Sequence, residues 1–190
     1  TGIGFADKHF GWVTKNNLGV MAGAFFEQTT DGGFTWEQVF LPAPSELDWF
    51  EELSLCQTSS PTFPSFQTAS LIVKCRLSGD QTIDYNAWSL TFIYTSLDRG
   101  STWEYAQLPS AVDSLLFLDT QTGWAFGRDT YKTSDGGLSW VPIKSVNWDG
   151  QFNFINEAQG WAVATNEGDS ALVTTLNGGQ SWQIITPEME

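Results

Sequence analysis

The sequence predicts an all-β protein made of four-stranded antiparallel sheets repeated four times, and three observations carry that expectation. A phrase of the form Ser/Thr-x-Asp/Asn-x-Gly-x-Ser/Thr-Trp, here called the box, occurs at residues 29–36, 96–103, 133–140 and 175–182. A second phrase, Phe-x-Asp/Asn-x-x-x-Gly-Trp, precedes three of the boxes without gaps, at 5–12, 117–124 and 154–161. Aromatic residues make up 15% of the 190-residue chain, β-branched residues are plentiful, and long helical periodicity is absent.

Each phrase has a physical reading. In the box, Asp31, Asp98, Asp135 or Asn177 accepts hydrogen bonds from backbone N–H groups just ahead, and the following Gly supplies a positive φ. The hydroxyl residues satisfy further loop amides. The closing Trp36, Trp103, Trp140 or Trp182 then opens the next strand and buries a large ring with one N–H to place. These eight residues are therefore expected to be structural. A calcium loop needs more oxygen ligands per turn than one Asp and a few hydroxyls.

The second phrase reads as the end of one strand, a turn led by Asp or Asn, and the start of the next. Together the phrases define a blade: strand A ends at the Phe, B starts at Gly-Trp, C runs into the box and D starts at the box Trp. The expected blades span residues 2–41, 49–108, 112–143 and 147–185 of a single domain, a period of the size that β-propellers show. Blade two is irregular. It keeps its box and a C strand at 88–95, but a segment at 42–68 replaces the Phe-led turn, with 53–57 as strand A, 70–76 as strand B and a Pro- and Ser-rich loop between them.

The box resembles the Asp-box, or BNR repeat, of β-propeller proteins, and four copies make the match specific. That family includes sialidases, xyloglucanase-type hydrolases, sortilin-type receptors and the non-enzymatic photosystem II assembly factors. The resemblance implies the fold and narrows the function. Four blades sit at the low end of propeller sizes, so a four-blade ring and an arc of a larger ring both stay open. The first residue is Thr1 rather than Met, which points to a processed or excised chain.

The cysteines bear on compartment. Cys56 and Cys75 fall on adjacent strands of blade two and are expected to form a disulfide; two free buried thiols are the alternative. Most Asp-box proteins are secreted, periplasmic or lumenal, so the resemblance implies an extracytoplasmic location. No apolar run reaches membrane-span length and no signal-peptide pattern is present.

The net charge of −14, with eight Lys and Arg scattered singly, removes nucleic acid and anionic membranes from the partner classes. A protein partner, basic in character, remains, as does a carbohydrate. Enzyme readings fare worse. A sialidase clamps its substrate with three arginines, and this chain's Arg76, Arg99 and Arg128 lack the family's sequence context. A xyloglucanase-type mechanism needs two carboxylates with one pKa raised. Asp7 and Asp119 are tempting, but they recur at the same turn, with Asn156 in their place in blade four, as turn-formers do. The only histidine, His9, reads as a turn residue, and no His/Cys cluster suggests a metal or cofactor. The chain is expected not to be an enzyme.

Eight of the ten tryptophans belong to boxes or strand starts, Trp88 among the latter; Trp49 and Trp148 remain. Both fall in D–A connections between blades, which emerge with the B–C loops on the end opposite the boxes. Acids gather there too, among them Asp48 and Asp149 beside the two tryptophans. Trp49, Trp148, Asp48 and Asp149 are thus the candidate partner-binding residues, and sealing of blade seams is the competing role for the tryptophans.

Overall fold

A computed structural model describes residues 2–14, 24–44, 53–77, 90–109, 111–146 and 148–186. The fold is all-β, with four sheets of β-propeller blade type, each a four-stranded antiparallel meander in sequence order. Blade one holds β1 (Gly2–Phe5), β2 (Gly11–Thr14), β3 (Phe25–Thr29) and β4 (Glu37–Phe40). Blade two holds β5 (Leu53–Thr58), β6 (Ala69–Leu77), β7 (Leu90–Ser96) and β8 (Glu104–Leu108). Blade three holds β9 (Val112–Phe117), β10 (Gly123–Gly127), β11 (Asp129–Thr133) and β12 (Val141–Ser145). Blade four holds β13 (Asp149–Phe154), β14 (Gly160–Asn166), β15 (Asp169–Thr175) and β16 (Gln183–Ile184). No helix among the described residues is long and apolar enough to cross a membrane.

The Phe and Gly of the second phrase are cross-strand partners: Phe5 opposes Gly11, Phe117 opposes Gly123 and Phe154 opposes Gly160. The Phe ring lies over the glycine, so a methyl on Gly11 or Gly123 would sit 2.6 Å from it. Between them one acidic or amide oxygen closes the turn. Asp7 accepts the N–H groups of His9 and Phe10 at 2.8 Å, and Asp119 those of Gln121 and Thr122 at 2.7 Å. Asn156 repeats the arrangement with Ala158 and Gln159.

The three Asp boxes follow one hydrogen-bond scheme, and the Asn177 box shares its turn bonds. In blade three, Thr133 donates to Asp135 at 2.7 Å and accepts the Gly137 N–H, while Asp135 accepts both the N–H and the hydroxyl of Ser139 at 2.9 and 2.5 Å. Trp140 returns its indole N–H to the Gly137 carbonyl at 3.0 Å. Two successive left-handed residues make this possible, Gly136 at φ 77° and Gly137 at φ 96°. The first of them donates its N–H to the A–B turn of the same blade: Gly32 to His9, Arg99 to Gln67, Gly136 to Gln121 and Gly178 to Ala158. The two phrases are thus one unit.

Blades meet through aromatic and aliphatic seams. Between blades one and two, Trp12 lies 5.3 Å from Trp103 and 4.6 Å from Phe26 of its own sheet, among buried Leu71, Val73, Phe92 and Tyr94. Ile72 and Ile93 of blade two pack on Val112, Ala125 and Tyr131 of blade three. At the third seam Trp124 stacks on Phe154 at 4.0 Å and Phe126 on Phe152 at 3.8 Å. Burial pushes the Tyr94 phenol well above its usual pKa, and its hydroxyl donates to the Pro42 carbonyl at 2.8 Å.

In blade two the Pro- and Ser-rich loop between β5 and β6 is anchored: Thr62 bridges Ser70, the Ser59 N–H donates to the Ile72 carbonyl, and Phe63 packs 4.8 Å from Trp12 of blade one. Thr58 adds a hydroxyl bond to the Phe25 carbonyl. Strand C begins at Leu90, and Trp88 lies outside the described residues. Cys56 and Cys75 are directly opposed in the β5–β6 register and joined by a disulfide, with Cα atoms 4.2 Å apart.

The disulfide is checked by thiol titration of the denatured, unreduced chain, which should detect none; two thiols per chain would remove it. Reduction should lower stability by about 3 kcal/mol in the chain-entropy model.

The box carboxylates set an acid limit. Hydrogen bonds from Thr35 and Thr29 hold Asp31 far below the usual carboxylate range, and those from Thr102 and Ser96 lower Asp98. For Asp135, burial pushes upward but is outweighed by bonds from Ser139 and Thr133, so the net direction is again down. Stability from such groups is complete above the unfolded pKa, near 3.9, and is lost as pH falls through the lower folded values. Denaturant unfolding from pH 7 downward should therefore show loss beginning below about pH 4. Asp135→Ala should cost about 1–3 kcal/mol at pH 7 through unpaired loop amides. Asp135→Asn, which copies the Asn177 of blade four, should cost less and reduce the acid dependence; an unchanged pH profile would count against this origin.

Candidate functional site

A groove of about 1110 Å³ lies at the seam of blades three and four, lined mainly by loops of the end opposite the boxes and reaching Ser181 and Trp182 of the blade-four box. Asp113, Arg128, Lys144, Trp148, Asp149 and Glu167 line it. Each reaches the groove from a loop end. Asp113 begins strand A of blade three, Arg128 lies in the B–C turn of that blade, and Lys144 lies near the end of its D strand. Trp148 and Asp149 come from the connection into blade four, where Val146 donates its N–H to the Arg128 carbonyl at 3.0 Å and ties the connection down.

Trp148 has two roles. Its ring stacks on Phe152 at 5.4 Å and meets the edge of Trp182 at 5.8 Å, while Phe152 itself stacks on Phe126 across the seam. The same half-buried indole forms part of the groove wall. Seam packing therefore fixes its orientation and leaves the rest of the ring available to a ligand.

On the far wall, β14 and β15 are joined by a two-residue hairpin, Glu167-Gly168, with φ of 52° and 95°. Two positive φ values suit the tight turn that matches strand twist, a geometry that favours Asn or Gly at the first position. A glutamate held there costs of order 1 kcal/mol. Asp149 of the same blade is exposed, and its backbone carbonyl accepts the Thr165 hydroxyl at 3.1 Å.

The sequence reading located Trp148 and Asp149 and missed Arg128 and Lys144. These two cations come from the B–C turn and the D strand of blade three and converge only when the sheet folds; their isolated positions carried no signal. Neither has an ion-pair partner among the described residues, whereas Lys74 pairs with Asp113. The described part of this end is thus mixed in charge, not acidic throughout. Trp49 and Asp48 lie outside the described residues.

The opposite end differs. The Asp7 and Asp119 carboxylates are each held below their usual pKa, by the backbone N–H groups of His9 and Phe10 and of Thr122 and Gln121 respectively. Asp7 also receives the Arg99 guanidinium at 2.8 Å. Neither carries the raised pKa of a general acid. Among the described residues no group of three or more His, Cys, Asp and Glu could hold a metal ion.

No protein-family model and no curated protein matches the chain. Solved structures do resemble it. A structure of YCF48 bound to D1 peptide superposes with a TM-score of 0.50 at 14% identity, covering 96% of this chain and 79% of that one. The GH74 enzyme of Niastella koreensis gives 0.55 at 13% identity, and the GH74 xyloglucanase of Xanthomonas campestris 0.54 at 14%. The chain covers 30% of the length of each of these two. Likeness at such identity shows the propeller fold alone.

Proposed function

We propose that the chain is a non-catalytic, extracytoplasmic propeller scaffold that binds a protein segment in the groove between blades three and four. The observation that carries this reading is the meeting of a half-buried Trp148 with charges of both signs, Asp149 and Glu167 from blade four and Arg128 and Lys144 from blade three. An indole wall with a charged rim suits an apolar or aromatic anchor flanked by charged side chains. The net charge of −14 favours a segment that is basic overall. The box residues Asp31, Asp98, Asp135 and Asn177, with their tryptophans, are assigned a structural role, since their acceptors are already used within the turn. The Cys56–Cys75 bridge supports an oxidising compartment.

The peptide seen on the YCF48 structure supports a protein partner, and the two GH74 neighbours keep carbohydrate binding or hydrolysis as the second reading. Salt separates them. Binding of peptides from a basic, aromatic-containing array should weaken as ionic strength rises, because exposed charge pairs are screened beyond roughly 8–10 Å; binding of xyloglucan oligosaccharides would change little. Trp148→Ala and Asp149→Ala, in proteins that still melt cooperatively, should each weaken peptide binding about 10-fold or more. Asp135→Asn should leave it unchanged. Oligosaccharide turnover, or affinity that survives both groove changes and fails with the box change, would reject the proposal.

A further inference from the structure

We infer, on the reading of the groove as a peptide site, that the bound segment continues past Asp113 into a recess between blades two and three. There it sets an asparagine or glutamine side chain against the Lys74–Asp113 ion pair. Three recesses share Asp113. The groove is one; another, of about 240 Å³, lies between Ser114 of β9 and Trp148 and Phe152 of blade four; the third, of about 280 Å³, lies between Asp113 and Gln57, Ser60 and Lys74. Among the described residues they form one track that crosses the A strands β13, β9 and β5 in turn, with Trp148 toward one end and Lys74 at the other.

The recess on blade two is built from fixed parts. Gln57 and Lys74 are cross-strand partners, one pair along from the Cys56–Cys75 bridge. The Ser59 hydroxyl accepts the Ile72 N–H at 2.9 Å and donates to the Ser60 carbonyl at 3.0 Å, and the Thr58 hydroxyl donates to the Phe25 carbonyl. These two hydroxyls are thus spent on backbone groups, and the ion pair becomes the main recognition element. Lys74 bonds one carboxylate oxygen of Asp113, whose side chain is 69% exposed while that of the lysine is 18% exposed. An ammonium has three donors and a carboxylate about four lone-pair sites, so this contact leaves capacity on both.

An ion pair with spare capacity on both members selects against charge. A carboxylate entering the recess meets Asp113, and an ammonium or guanidinium meets Lys74, so each loses by repulsion what it gains by attraction. A carboxamide avoids both: its NH2 donates to Asp113 while its carbonyl accepts from Lys74. Hydrogen bonds to ionised partners are the stronger class. One blade separates the two seams. Sheets packed face to face lie roughly 10 Å apart and an extended chain advances about 3.3 Å per residue, so the amide belongs about three residues from the side chain that rests on Trp148.

The probe is an Ala- and Lys-based peptide with one central Phe, into which a single Gln is moved through every position. Affinity should rise about 10-fold when the Gln stands about three places to one side of the Phe, and Glu at that place should bind no better than Ala. The Gln-to-Ala affinity ratio should fall to about one with Lys74→Met, which keeps an aliphatic stem at the site. Asp113→Ser, at an exposed carboxylate, should remove the same ratio and serves if Lys74→Met fails to fold. A flat Gln scan, with Trp148→Ala still weakening the Phe peptide, leaves the groove reading standing and overturns the extension. So does a ratio that survives both variants. Failure of every peptide to bind rejects the groove reading and the extension with it; xyloglucan oligosaccharides bound in their place, and weakened by Lys74→Met, would assign the recess to a sugar hydroxyl instead.

Discussion

Two successive left-handed residues in each box are the constraint on which the blades depend. They turn the chain so that one carboxylate or amide oxygen can accept the N–H of a residue four places on, while their own N–H groups go to the A–B turn and to the hydroxyl that opens the box. One of those N–H groups reaches the A–B turn, so strands A and B are fastened to C and D before any other blade is needed. The second left-handed residue has no side chain because its surface belongs to the neighbouring blade. Trp12 occupies that space over Gly100, and Thr95 and Ser70 occupy it over Gly137.

Magnitudes divide the labour between turn and seam. Each box hydrogen bond contributes a net of about 1 kcal/mol, because water competes for the same groups. A fully buried aromatic side chain removes roughly 150–250 Å² from water, worth about 4–6 kcal/mol before conformational entropy is counted. Stability therefore resides in the seams, and the boxes fix the geometry that lets seams form. Blade two shows how a departure is accommodated. Arg99 replaces the first left-handed glycine at φ 61°, an adverse backbone state, yet its guanidinium bonds Asp7 and lies 4.4 Å over the Phe10 ring of blade one. The strained residue thus clamps two blades.

What the sequence makes legible is what is local. Both phrases fold within their own blade, so spacing alone identifies strand ends, turns and the residues that close them. Trp148 can be found by elimination, because every other described tryptophan has a place in a phrase. The Cys56–Cys75 pairing is legible once strands A and B of blade two are recognised. Contacts between blades are not. Arg128 and Lys144 stand sixteen places apart with a box between them, and only the sheet register and the seam bring them beside Asp149. The loop between β5 and β6 reads as a Pro- and Ser-rich connection, while its Phe63 packs against a tryptophan some fifty residues earlier.

The two ends of the blades differ in what their polar groups have left to offer. On the box end the same oxygens and N–H groups are committed to one another in all four blades, so a ligand would have to displace bonds that hold the turns. On the other end the connections are not repeated and their side chains are not bound to the backbone in a shared scheme. Arg128 and Lys144 face the groove without counter-ions among the described residues, and Asp149 is exposed beside an indole whose other side is fixed by packing. A rigid wall with unspent charges is the condition under which recognition can add free energy without dismantling the fold. Propellers that share this fold at 13–14% identity include a peptide-bound protein and glycoside hydrolases. Shared architecture is therefore silent on which chemistry is present, and the groove side chains must decide it.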